Sequence, residues 1–110
     1  MTSIVIKLSA RTLPNPDLDL RYLIPDLLKE RSGGIINDDG YDYSPNDSGN
    51  LYLFLKTDNP EKAIPYIIEV MDRETVLDNQ LAHHVIVAAR EGDSFRVLYP
   101  ANYEGEFAIE

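Results

Sequence analysis

Ile4, Ile6 and Leu8 alternate with Val5, Lys7 and Ser9, the two-residue period of a strand with one buried face. The spacing then changes. Asn15-Pro16 offers a helix N-cap followed by proline at the first helical position. Behind it Leu20, Leu23, Ile24, Leu27 and Leu28 recur at the three- and four-residue spacing of one helix face. Pro25 interrupts that face, and inside a helix it costs roughly 3 kcal/mol. The helix therefore either kinks at Pro25 or is regular only from there to Arg31. Ser32-Gly33-Gly34 ends it in both cases.

Two further strands are predicted over residues 34–44 and 50–57. Between them Ser44-Pro45-Asn46-Asp47-Ser48-Gly49 is dense in turn formers, so the pair reads as a hairpin. Asn59-Pro60-Glu61 repeats the earlier cap signal, and Ile64, Ile67, Ile68 and Met71 mark a second helix face, with Pro65 early in it. Glu69 and Arg73 stand in the favourable order for an ion pair worth a few tenths of a kcal/mol. Residues 84–90 predict a fourth strand, Glu91-Gly92-Asp93 a tight turn and residues 94–99 a fifth strand, which Pro100 stops. Residues 101–110 carry Tyr103, Phe107 and Ile109 among glutamates with no base, as expected of a tail docked on the domain.

The chain thus reads strand–helix–strand twice. Residues 4–8 match 51–55, Asn15-Pro16-Asp17 matches Asn59-Pro60-Glu61, and Ile24-Pro25 matches Ile64-Pro65. Two split βαβ units of this kind resemble the ferredoxin-like α/β plait, an α+β fold, here with a fifth strand added. The expectation is one antiparallel sheet in the order 2-3-1-4-5 with both helices on one face. At 110 residues the chain is read as a single domain. Ile6, Leu8, Ile24, Leu27, Leu28, Leu51, Leu53, Leu55, Ile64, Ile67, Ile68, Val85 and Val87 form its expected core. In the third strand the leucines face the helices, which leaves Tyr52 and Phe54 on the open face of the sheet. RNA-recognition domains carry stacking aromatics there, but no basic-Gly-aromatic signature accompanies these. A dimer surface or cover by the C-terminal tail fits better.

Charge narrows the function. Ten basic against nineteen acidic residues give a net charge of −9, which opposes binding to nucleic acid or an anionic membrane. Cysteine is absent, so disulfides, thiolate nucleophiles and cysteine-held metals are excluded. Residues 1–10 lack the basic region of a signal peptide, and no stretch approaches the ~20 apolar residues of a membrane span. The default compartment is the cytoplasm. No Gly-x-Ser-x-Gly elbow, P-loop or Gly-x-Gly-x-x-Gly cradle is present. His83 and His84 are adjacent, and in a strand they would point to opposite faces, unable to grip one metal ion. The oxygen-rich run from Asn37 to Asp42 fails the EF-hand pattern, with Ile35 at the first ligand position and Asn46 at the closing one. No catalytic, cofactor or metal site is expected.

Between Ser32 and Leu55 there is no lysine or arginine, yet Asp38, Asp39, Asp42 and Asp47 lie there, interleaved with Tyr41, Tyr43 and Tyr52. Tyrosine supplies rigid contact area while carboxylates steer and pair with basic groups. In length, acidity and the Asp38-Asp39-Gly40-Tyr41-Asp42-Tyr43 hairpin, the chain resembles small immunity proteins of bacterial toxin systems. That resemblance implies a non-catalytic inhibitor of a basic partner, a nuclease toxin, with Asp38, Asp39, Tyr41, Asp42, Tyr43 and Asp47 as contacts. The alternative is a dimerising small-molecule regulatory domain resembling ACT domains. These usually place a glycine between first strand and first helix, and residues 9–17 have none.

Overall fold

The computed structural model describes residues 2–9, 11–15, 19–43, 50–100, 103 and 107. Alternation along β1 (Thr2–Ser9) sends Ile4, Ile6 and Leu8 into one buried cluster and Val5 into another on the opposite side. β3 (Asn50–Thr57) pairs antiparallel with β1, setting Leu53 opposite Ile6 and Leu51 opposite Leu8. β6 (Val85–Glu91) pairs on the other side of β1, with Val87 opposite Ile6. β2 (Asn37–Tyr43) and β7 (Ser94–Tyr99) form the edges, giving a five-stranded antiparallel sheet of order β2-β3-β1-β6-β7. β4 (Thr75–Val76) and β5 (Asn79–Gln80) make a separate two-stranded sheet. The fold is α+β. Leu20, Ile24 and Leu28 of α1 (Leu20–Arg31) and Ala63, Ile67, Val70 and Met71 of α2 (Pro60–Arg73) join the same cluster as the sheet leucines. Both helices therefore cover one face of the sheet. Leu27, Ile64 and Ile68, expected in the core, are only half-buried at its margin.

The two proline-marked helix starts behave differently. Asn59 caps α2 as expected, its side chain accepting from the Lys62 amide, and Pro60 opens the helix. At α1 the expectation fails: the cap position is Asp19, which makes no side-chain cap bond. Asn15 is diverted to the β4–β5 hairpin. Its amide donates to Asn79 Oδ1 (2.8 Å) and its side chain to the Leu77 carbonyl (3.0 Å). Pro25 neither begins nor ends α1, which runs through it to Arg31 and stops where Gly33 turns at φ +66°. The proline ring is buried with Ile24 and Leu28 on the inner side of the helix. Ion pairs among the described residues are Arg31–Glu74, Lys56–Asp39 and Arg96–Glu91, so Arg73 and Glu69 do not close the expected pair.

The β4–β5 hairpin has no counterpart in the sequence expectations. It turns through Leu77 and Asp78, both at positive φ, without the glycine or Asn-Gly that advertises such turns. Asn79 holds it to the loop after β1. Fully buried, its side chain accepts from the Asn15 amide and donates to the carbonyls of Asn15 (2.6 Å) and Leu77 (3.2 Å). Asn79→Ala should cost about 2–4 kcal/mol in urea unfolding, because it breaks several bonds and strands a buried donor. The neighbouring exposed change Gln80→Ala should stay within about 0.5 kcal/mol of wild type.

On the sheet face away from the helices Tyr52 is fully buried, consistent with the expected cover by the C-terminal tail. Val5, Ala88 and Phe107 surround it, with Phe54, Ile86, Phe95 and Val97 half-buried alongside. Phe107 lies edge-on to Phe95 at 5.2 Å. Of the expected docked tail, Tyr103 and Phe107 are described and the remainder lies outside the described residues.

Tyr99 closes the far edge, its hydroxyl donating to Asp72 Oδ1 at 3.3 Å. Burial first, then the Asp72 charge, raises its pKa above the usual 10.0. On raising the pH the unfolded chain loses this proton first. The stabilisation is therefore complete below pH 10 and fades as the pH climbs through the folded-state value. Urea midpoints should fall in that alkaline window, and less steeply in Tyr99→Phe.

Candidate functional site

β2 is an edge strand exposed along nearly its whole length. Its local shape comes from Gly40, at φ +99° beside an irregularity in the pairing with β3 between Asp38 and Tyr41. Asp38 Oδ1 accepts from the Gly40 amide (2.9 Å), and Asp42 Oδ1 accepts from the Tyr43 amide (2.8 Å). Register then sorts the side chains. Asp38, Tyr41 and Tyr43 stand opposite Leu55, Leu53 and Leu51, on the side of the sheet that carries the helices. Asp42 stands opposite Tyr52, on the other side, and Asp39 reaches Lys56 at 3.8 Å. The sequence places these carboxylates together; the fold distributes them over both rims of one edge. Asp47 lies outside the described residues.

The tyrosines form a cluster that also draws on α1. Tyr22 meets Tyr41 edge-on at 6.2 Å, and Tyr41 meets Tyr43 edge-on at 5.8 Å. The Arg21 guanidinium stacks on Tyr22 (4.6 Å to the ring centre) and Tyr41 (5.2 Å), and its Nη1 donates to the Tyr43 hydroxyl (3.4 Å). Hydrogen bonds to Tyr22 and then Tyr43 push the Arg21 pKa further above its ordinary high value, so the cation is permanent. Its Nε is buried without a hydrogen-bond partner among the described residues, and the ring faces of Tyr22 and Tyr41 lie against the guanidinium. Tyr22, Tyr41 and Tyr43 remain 48%, 41% and 43% exposed. They present aromatic area to solvent in fixed mutual orientation.

Arg21 and Tyr22 were not expected here. Their only sequence signal is position, since both lie off the apolar stripe of α1, and nothing local tells that this flank meets β2.

The histidines do not lie in a strand. Leu81–His83 form a 3-10 turn, His84 ends it, and β6 starts at Val85. The opposite-face argument therefore does not apply to them. The Thr12 hydroxyl and His84 Nδ1 are 2.8 Å apart. Among the described residues no group of three or more histidine, aspartate or glutamate side chains is placed to hold a metal ion, and no helix is long and apolar enough to cross a membrane. No known protein family, curated protein or solved structure matches this chain.

Proposed function

We propose that this chain is a non-catalytic acidic binding protein that captures and neutralises a basic protein partner through the β2 edge, as small immunity proteins do with nuclease toxins in the cytoplasm. The observation that carries the reading is the composition of that edge: exposed carboxylates on both rims of a fixed tyrosine cluster. Asp38 and Asp42 bond only to backbone amides among the described contacts. The exposed Asp39–Lys56 pair is worth little and yields readily to a better-placed cation. A second copy of β2 would bring like charges together along an edge already bulged against pairing. A basic partner meets no such repulsion. A nuclease presents that partner chemistry, because it must attract phosphate with lysine and arginine around its site.

The same reading takes the fold as a ferredoxin-like plait extended by β7, since the long strands run second, third, first, fourth, fifth across the sheet. Such a plait hosts many functions, so the site and not the fold bears the argument. The experiment is a binding measurement against the basic product of a neighbouring gene. Wild type is compared with the Asp38→Asn, Asp39→Asn, Asp42→Asn triple variant across a salt series. Binding that the triple variant and salt leave unchanged removes β2 as the contact surface.

A further inference from the structure

A second surface feature lies around the C-terminal end of β1, in the row where Ile86, Lys7, Tyr52 and Asp42 stand side by side across the sheet. Lys7 and Ser9 of β1, Thr12 of the following loop and His84, Val85 and Ile86 line a cleft of about 210 Å³. That is room for a small metabolite or ion. The cleft's frame is fixed: the Ser9 amide donates to the His84 carbonyl (3.0 Å) and the Thr12 amide to the Ser9 carbonyl (3.1 Å). Lys7 and Ile86 are register partners, so their side chains rise from the same face of the sheet.

The chemistry of the lining is one-sided. In a chain with nineteen acidic residues, none of the described lining residues is a carboxylate. Lys7 makes no ion pair among the described residues. The Thr12 hydroxyl has one proton and two neighbours, the Ser9 carbonyl at 3.1 Å and His84 Nδ1 at 2.8 Å. The hydroxyl donates to the carbonyl, and His84 Nδ1 stands within hydrogen-bond distance of its oxygen. An ammonium, an imidazole and the side chains of Ser9 and Thr12 border one small cleft, with Val85 and Ile86 as its apolar lining.

We propose that this cleft binds a small oxyanion, a carboxylate or phosphate group, held by Lys7 and His84, with any short aliphatic portion against Ile86. Its residues are distinct from those of the β2 edge, with Asp42 two strands away in the same row. Binding is weak, in the millimolar range, because the net charge of the protein opposes any anion.

The test follows the imidazole ring protons by NMR during separate titrations with acetate, butyrate and inorganic phosphate at fixed pH and ionic strength, with chloride as the reference salt. His84→Asn assigns the two histidines. A saturable shift of the His84 resonances with carboxylate or phosphate, absent with chloride, is the expected result. Tighter binding of butyrate than acetate identifies the carboxylate with an aliphatic arm; tighter binding of phosphate identifies a phosphate group. Lys7→Met should weaken binding about tenfold, the loss of one charge-assisted hydrogen bond. Lys7→Gln serves the same purpose if the methionine variant loses its fold. Linear, non-saturating shifts common to all salts would overturn the proposal, as would equal affinity in a folded Lys7 variant.

Discussion

Tyr52→Ala should destabilise this protein as severely as Leu53→Ala. These neighbours point to opposite faces of the central sheet, and both are fully buried. Truncating Leu53 removes a side chain packed among Ile6, Leu8 and the helices, a loss of about 2–5 kcal/mol. Truncating Tyr52 opens a larger void among Val5, Ala88 and Phe107, and large aromatics cost about 3–5 kcal/mol in such sites. Native stability is about 5–15 kcal/mol for a typical protein, so either change removes a large share of it. Denaturant unfolding of both variants checks the claim, with Phe107→Ala as an intermediate case because Phe107 retains 9% exposure. A Tyr52→Ala loss below about 1 kcal/mol would mean that the face away from the helices is not packed in solution.

That pair also marks how far the sequence could be read. β1, β3 and β7 follow from alternation and from turn residues, and their boundaries match the periodic pattern closely. Tyr52 was placed on the correct side of β3, with a dimer surface or the C-terminal tail as the expected cover, because alternation reports which side a residue faces and does not choose between covers. The cover includes Phe107, fifty-five positions further along the chain. The Asn15-Pro16 signal, by contrast, failed. Its local chemistry is that of a helix cap, but the long-range bonds to Asn79 use the same polar groups. The β4–β5 hairpin was invisible since its turn places Leu77 and Asp78, not glycine, at positive φ.

The candidate site was legible in composition and not in arrangement. Asp38, Asp39, Tyr41, Asp42 and Tyr43 do occupy one exposed edge. The irregularity beside Gly40 decides which of them share a side, and no count of charges encodes that register. Arg21 is the larger omission. A cation from α1 beside the acidic edge looks like a contradiction until the geometry shows it stacked on Tyr22 and Tyr41. It acts there as the strut of an aromatic surface, and the carboxylates on the rims retain the long-range field.

If a basic partner docks on the β2 edge as proposed, carboxylates and tyrosines act at different stages of association and their variants should fail differently. Neutralising Asp38, Asp39 and Asp42 together removes steering, which operates over roughly 10 Å at 0.1 M salt. The association rate should fall about tenfold or more at low ionic strength and approach that of wild type at high salt. Tyr22→Ala and Tyr41→Ala should leave the association rate nearly intact. Each removes a rigid ring from the centre of the contact, and a loss of about 2 kcal/mol there corresponds to dissociation roughly thirtyfold faster. Arg21→Met tests the strut: the rings stay but lose the guanidinium that orders them, so dissociation should quicken while the salt dependence of association is retained. Stopped-flow association at several salt concentrations and dissociation by competition separate these outcomes. If the tyrosine variants slow association instead, or the triple variant changes only dissociation, the division of labour along β2 is wrong even though the edge still binds. If none of the variants changes either rate, the partner docks elsewhere on the molecule.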